Sequence, residues 1–449
     1  MGPTQWGRRR PLWTGLFLLG CIAAGLRWPT VAPAAVEPAD YWNEAGLAEL
    51  VWQRSTTVLE SRSTAAAADA EAMRARTLPN PVLDATWGTI PVGQTNPHNL
   101  SRPLENVPSY TAGISELIEL GKRGARQRAT AAESKAAHAR NAAATEDQFF
   151  ELLAAIGRIA AEQERIAIAD ELVTSSDRLL ELDRVRVSKG DLAEIDLRRA
   201  EVEHLQLVAD RDAALSDLDN AKADCAALIA EPCPEFASGD DAMRYLAQAR
   251  EYPLPQAWSR EIEQHRPDIA ALDARRRGAD ERVKLARNRI IPDVTLRLGY
   301  TYDTFAEAGN QRNSLALGVQ LPLPVADHGE ADQMEALAVR DRSREGRDAL
   351  VEAGRAQMTE ILRRREAAIQ RREQIDAAVL QSGSVEESLI GAERNGAASL
   401  ADILLAQRSH RQLLLQRADL DTEVFAATLE ARRIAGLCPL PSEISEDGK

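Results

Sequence analysis

Aromatic residues are scarce in this chain of 449 residues, at 4%, while charged residues reach 28%. So few large rings cannot fill a thick globular core. A composition rich in alanine, leucine, arginine and glutamate suits long helices lying on neighbouring helices. Positive charge is also in deficit, with a formal net charge of −14. A phosphate-binding surface needs a basic excess, so nucleic acid is not expected as a partner. Beyond residue 34 no apolar run approaches the ~20 residues of a membrane-spanning helix, so any entry into a membrane must be made by strands. The six histidines (His98, His138, His204, His265, His328 and His410) show no metal-ligand spacing among themselves or with cysteine. The five methionines form no cluster. There is no phosphate-cradling glycine loop and no nucleophile elbow. No catalytic residue, cofactor or metal site is therefore assigned, and an enzyme is not expected.

What is present begins with a leader. Arg8, Arg9 and Arg10 precede an apolar stretch from Leu12 to Leu26, which is too short to span a bilayer and reads as an export signal. Two processing sites are open. Leu18-Leu19-Gly20-Cys21 resembles a bacterial lipobox, which would leave Cys21 as an acylated N-terminus. Ala32-Pro33-Ala34 instead offers small residues to ordinary signal peptidase. Either way the chain is expected to leave the cytoplasm, and export permits a disulfide. Cys233 and Cys438 each follow the end of a repeat and are candidates to meet in space. Cys225 shares a helical face with Leu218, Ala221 and Leu228, where a thiol acts as a small hydrophobe.

One unit occurs twice. Gly190-Asp191-Leu192-Ala193-Glu194-Ile195-Asp196 returns as Gly396-Ala397-Ala398-Ser399-Leu400-Ala401-Asp402, which superimposes Asp196 on Asp402. Upstream, Tyr110, Gly113 and Ile114 align with Leu315, Gly318 and Val319. A repeat of this kind governs the whole fold.

In each copy period-two alternation predicts a β-hairpin. In the first, Leu83, Ala85 and Trp87 join Tyr110, Ala112 and Ile114 on one face. In the second, Val294, Leu296, Leu298, Tyr300 and Tyr302 join Leu315, Leu317, Val319 and Leu321. A soluble protein would lay such a face on a core; strands of about ten residues with this pattern also suit an outer-membrane barrel. Each hairpin leads into helical sequence that turns at Gly190 or Gly396 and runs back, with a first arm on the order of 90 Å long.

The expected organisation is a signal or anchor segment over 1–34, N-terminal helices over 35–77, a β-hairpin over 78–119 and a long helical hairpin over 120–230. A proline-rich join over 231–258 and a helix over 259–291 follow. The second β-hairpin covers 292–326, the second helical hairpin 327–437, and a polar tail 438–449. The fold class is mainly α with a small β part. Four strands cannot close a barrel and an open edge is not viable in lipid, so a homotrimer supplying twelve strands is expected.

Several segments carry a resemblance. Asn80-Pro81 precedes the first strand, Arg266-Pro267-Asp268-Ile269 opens a helix, Ile291-Pro292-Asp293 precedes the third strand, and Leu321-Pro322-Leu323-Pro324 ends the fourth. Together with the two glycine turns, they resemble the outer-membrane efflux family whose best-known member is TolC, over nearly the whole mature chain. Glu119-Leu120-Gly121-Lys122-Arg123-Gly124-Ala125-Arg126 is similar to the segment after the second strand in the heavy-metal, CzcC-like branch. The sequence departs from that pattern at Gly121, where the branch commonly has two glycines, and after Pro324, where the family tends to have an aromatic.

The resemblance implies a trimeric, twelve-stranded outer-membrane β-barrel continuous with a periplasmic α-helical barrel in a Gram-negative bacterium. A periplasmic adaptor and an inner-membrane pump would complete a tripartite RND-type system, with this chain as passive exit duct for divalent heavy-metal cations. A drug or type I secretion channel of the same fold is one alternative. A periplasmic coiled-coil adaptor is another, although an adaptor would show one helical hairpin rather than two. Gly190, Asp191, Leu192, Gly396, Ser399 and Leu400 would form the periplasmic tips where the adaptor docks. Asp196 and Asp402 are pore-gate candidates, since rings of carboxylates favour cations. Their plainer reading is helix capping or pairing with Arg198, Arg199 or Arg408. Lys122, Arg123 and Arg126 would meet outer-membrane lipid phosphates or neighbouring acids, or form a solvated charge run.

Overall fold

The computed structural model describes residues 43–94, 100–254, 258–304, 311–394 and 397–439. The export segment with Cys21, and Gly396 at the second turn, lie outside the described residues. Asn43 opens the first helix by accepting the N–H of Ala45, giving α1 (Glu44–Arg54), and Ser55 separates it from α2 (Thr56–Arg76).

The alternating segments form strands β1 (Val82–Gly88), β2 (Ser109–Ile118), β3 (Val294–Asp303) and β4 (Asn313–Gln320). They build one antiparallel sheet in the order β1-β2-β3-β4, so β2 and β3 join the two repeats. Tyr110 lies opposite Tyr302 and Ile114 opposite Leu298 across that join. A four-residue helix, α3 (Pro103–Asn106), interrupts the first loop.

The helical arms are as long as the sequence suggests. In the first repeat α4 (Arg123–Lys189) has 67 residues and returns as α5 (Glu194–Ile229). In the second, α9 (Glu330–Arg394) has 65 residues and returns as α10 (Leu400–Ala435). At 1.5 Å per residue each first arm measures roughly 100 Å. Proline is absent from α4, and alanine fills eight of its 24 buried positions. The helix stops at Gly190, whose φ of +81° only glycine adopts without strain. The N–H groups of Gly190 and Asp191 then close on the carbonyls of Val187 and Arg186.

Between the repeats lie α6 (Gly239–Glu251), α7 (Trp258–His265) and α8 (Pro267–Arg287), the last with its proline in the first turn. The proline-rich join thus contains a helix, α6, capped by the Ser238 hydroxyl accepting from Asp241 N–H and buried through Ala242, Leu246 and Ala249. Near the sheet α8 fills the space between α4 and α9; farther away α4 pairs with α5 and α9 with α10. α4 and α10 meet along the seam between repeats. There Gly157 of α4 leaves room for Phe425 of α10, since a Cβ would come within 2.8 Å of its Cδ1 and closer still to Cε1.

One expectation is corrected. The disulfide joins Cys225 to Cys233, with Cα atoms 6.0 Å apart, and Cys438 is a free thiol. α5 ends at Ala230 in the left-handed conformation, φ 54°, which turns the chain back so that Cys233 meets the last turns of α5. Cys225 does face inward as its spacing suggests, but as a bridge rather than as plain apolar packing.

Candidate functional site, the sheet and the hairpin tips

The cross-strand register puts most apolar positions of the four strands on one face, leaving Val82, Leu117 and Ala316 on the other. Trp87, Tyr110, Tyr302 and Asn313 form one row, Ala85, Ala112, Tyr300 and Leu315 the next, and Leu83, Ile114, Leu298 and Leu317 the third. Most of these apolar side chains are exposed, up to 87% at Leu317. No described helix or loop covers them. The aromatic residues gather at the loop end, where Trp87 and Tyr110 stack with ring centroids 6.4 Å apart. Glu116, opposite Leu296, is the one charged residue on that face among the described strand residues, and it lies near the helical end.

The opposite face is mainly polar. Thr111 and Thr301 share a hydrogen bond of 3.1 Å, and Arg297 on β3 reaches across β2 to Asp84 on β1. Gly113 makes that crossing possible, because a Cβ there would lie 2.9 Å from Asp84 Oδ1 and 3.1 Å from Arg297 Nε. β1 and β4 are the edges of the sheet, each with one side unpaired. Ten residues of β3, tilted by about 40°, would span ~25 Å, the height of an apolar barrel band. No described helix is long and apolar enough to cross a membrane.

Where sheet meets helix, the cationic segment is tied to acids of its own chain. Lys122 pairs with Asp293 at 2.9 Å, Arg126 donates to Glu119 at 2.7 Å, and Arg123 donates to the Arg76 carbonyl at 2.7 Å. Of the readings for these three residues, contact with neighbouring acids describes Lys122 and Arg126.

The distant ends of the two hairpins lie side by side. Leu400 is buried with Leu180 and Ala200, and Leu192 is packed against them. Leu400, expected at the docking tip, joins the two tips here, because the first turn of α10 lies against the end of α4 and the start of α5. Ion pairs reinforce this junction. Arg186 of α4 binds Glu393 of α9, Arg408 of α10 binds Glu203 of α5 at 2.5 Å, and Arg411 binds Asp210 at 3.1 Å. Gly190, Asp191 and Ser399 remain at the outer turn, Asp191 and Ser399 exposed.

The two gate candidates differ. Ser399 caps α10 through a reciprocal pair with Asp402, whose carboxylate accepts from the Ser399 hydroxyl at 2.7 Å and its N–H at 3.1 Å. These bonds hold the Asp402 carboxyl below its usual range. In the first repeat Ala193 stands where Ser399 stands in the second, so Asp196 has no such partner and pairs with Arg199 at 3.2 Å.

Two features escaped the sequence. A cleft of about 650 Å³ between α5 and α10 has Ile195, Val202, Leu404 and Leu405 for its floor and Arg198, Arg199 and Arg408 at its rim. Ile195 and Val202 stand seven residues apart, a spacing that reads as ordinary core until Val202 is found 66% exposed. The second feature is a set of buried carboxylates on α4, whose positions look like exposed charge in a charge-rich helix. No group of three or more acidic, histidine or cysteine side chains suited to a metal ion occurs among the described residues.

No family model matches the chain. The cobalt-zinc-cadmium resistance protein CzcC of Cupriavidus metallidurans is 26% identical over 274 residues, which cover 61% of this chain and 60% of that protein. The match thus spans less than two thirds of CzcC. The pyoverdine export outer membrane protein OpmQ of Pseudomonas aeruginosa is 26% identical over 362 residues, covering 74% of this chain and 73% of OpmQ. Among solved structures, the open-state outer membrane channel MtrE of Neisseria gonorrhoeae superimposes with a TM-score of 0.71 at 17% identity, covering 87% of this chain and 88% of MtrE. The chain has the TolC-like fold of solved outer-membrane channels such as MtrE.

Proposed function

We propose that the chain is the passive outer-membrane exit duct of a tripartite efflux system. The observation that carries this reading is the sheet, apolar where it is exposed, mainly polar on its other face, and unpaired at both edges. Three copies would join β1 of one to β4 of the next and close twelve strands, an even number. Closure is required, because an open edge in hydrocarbon leaves N–H and C=O groups without partners. The helical hairpins would continue this barrel into the periplasm.

A periplasmic adaptor would dock at the tips, laying an amphipathic helix into the apolar cleft beside Ile195 and Val202, with Gly190, Asp191 and Ser399 at the outer turn. An inner-membrane pump would supply the energy. Asp196, free of a capping role, is the stronger gate candidate; Asp402 would contribute through the helix it caps. Divalent heavy-metal cations are the proposed cargo, supported by the likeness to a cobalt-zinc-cadmium resistance protein and by the acidic chain. The likeness to a pyoverdine exporter favours a second reading, export of an organic molecule.

A deletion strain challenged with zinc, cobalt and cadmium salts, and separately with hydrophobic drugs, tests the cargo. Selective metal sensitivity is expected; drug sensitivity alone overturns the metal reading. Fractionation tests the channel itself, and a soluble periplasmic monomer would overturn it.

A further inference from the structure

Among the described residues, two carboxylates have both oxygens sealed from solvent without a hydrogen-bond partner, Glu164 and Asp183 of α4. Both sit where the first repeat meets the second. They are 19 residues apart, roughly 28 Å along the helix.

Glu164, 3% exposed, is faced by Asp421 and Arg417 of α10, by Arg372 of α9 and by Arg165 of its own helix. These arginines are directed elsewhere. Arg372 donates to Asp421 at 2.9 Å and also pairs with Asp376. Arg165 binds Asp419 at 2.7 Å and Glu162 at 3.0 Å, and Arg417 Nη2 lies 4.0 Å from the Met243 sulfur. Arg250 of α6 stands 3.7 Å from Asp421. An ionised Glu164 would therefore be a buried charge with no hydrogen bond, an expensive state.

Asp183 has the same difficulty at the tip. Arg186 hydrogen-bonds Glu393 of α9 and stands 3.8 Å from Asp183, so one guanidinium faces two buried carboxylates. Asp196 of α5 adds a further negative charge nearby. On the α10 side, Arg408 is occupied by Glu203.

We propose that the seam between the two repeats is a proton-operated joint, in which Glu164 and Asp183 hold protons while the seam is closed and release them to water as it opens. Burial pushes Glu164 from 4.5 up to about 7, with Asp421 adding to the shift, and pushes Asp183 from 3.8 up to about 6, with Glu393 adding to it. The direction follows by linkage. A carboxyl raised in the closed state leaves closure at full strength below its ordinary value. Closure weakens as pH climbs from that value to the raised one, and is flat beyond. Between about pH 5 and about pH 8 the opening equilibrium should rise about 70-fold through Glu164 and about tenfold through Asp183. The joint does not depend on what the protein carries, so it can fail or survive independently of the channel reading.

Hydrogen exchange on the full chain in mild detergent tests the joint. Opening constants for α4 peptides within 160–187 are corrected for intrinsic exchange at each pH. Wild type should open more at about pH 8 than at about pH 5 by at least the factors above, E164Q and D183N should each remove their own share, and the double variant should lose most of the response. Glu171→Gln, exposed on the same helix, should keep the wild-type response. A flat wild-type profile overturns the proposal, as does a double variant that retains the response. Because each amide resembles the protonated acid, a double variant that unfolds at about pH 5 overturns it too.

Discussion

Leu317→Arg asks what covers the sheet. Leu317 lies near the middle of β4, opposite Leu298, and is 87% exposed in the single chain. If water covered that face, the change would be a surface substitution within about 0.5 kcal/mol of neutral. If hydrocarbon covers it, an arginine near the midplane should cost roughly 2–4 kcal/mol, a factor of about 30 to 800 in the folding equilibrium. Ala316→Arg is the matched control. It places the same charge one residue away on the polar face, opposite Gly299, where a wet lumen would accept it. Refolding into lipid bilayers across a urea series, read by heat-modifiable gel mobility, measures both variants. Leu317→Arg is expected to lose its folded fraction at markedly lower urea while Ala316→Arg stays near wild type. Equal behaviour of the two, whether both tolerated or both lost, refutes the assignment of faces to lipid and lumen.

Gly157→Ala should lower stability by about 1–3 kcal/mol, because the new methyl collides with the Phe425 ring; Phe425→Leu should restore part of the loss in a thermal melt. Cys233→Ser should cost about 2.5 kcal/mol, the entropy of a loop closed over a sequence separation of 8 residues, and a reductant should bring wild type to the variant's melting temperature. Burial raises the Glu146 carboxyl from 4.5 to about 8, so its burden on the fold grows as pH climbs between those values and is full above them. Glu146→Gln should therefore stabilise the protein at alkaline pH by up to ~5 kcal/mol and leave it little changed near pH 4, as urea titrations at the two extremes would show. Asp196→Ala should alter single-channel conductance or cation selectivity, whereas Asp402→Ala should chiefly lose about 1 kcal/mol of helix capping; unchanged conductance and selectivity in the Asp196 variant would leave that residue a structural role.

Much of the architecture was legible because it rests on periodicity, which a sequence records directly. Alternation of Leu315, Leu317 and Val319 against Ser314, Ala316 and Gly318 marks both the strand and its two faces. The absence of proline across α4 and the glycine at 190 mark the length and end of the helix. What alternation cannot reveal is which face meets the rest of the chain. That needed the register, which shows the apolar face uncovered. α6 was hidden for a different reason: prolines flank a helix of only 13 residues, and punctuation outweighs so short a pattern. The disulfide depended on the left-handed Ala230, a conformation that nothing in the residue itself announces. The buried acids of α4 were invisible because a glutamate on a charge-rich helix looks the same whether it faces water or a neighbouring helix.

The duplication itself argues for unequal tips. The repeat aligns Ala193 with Ser399 and Asp196 with Asp402, so sequence identity at the aspartates suggests one shared role. The cap breaks the equivalence. A serine hydroxyl at position 399 engages the third residue of its helix, and Asp402 is thereby committed to holding the first turn of α10 in place. Alanine at 193 offers no hydroxyl, so Asp196 keeps only an exposed pairing with Arg199, worth little in water. The first tip is thus the more easily rearranged of the two. Leu400, fixed by that capped turn, presses into the pocket of Leu180 and Ala200 on the first hairpin. A capped first turn on α10 beside an uncapped one on α5 makes α5 the arm expected to move, with α10 as the surface it would move against.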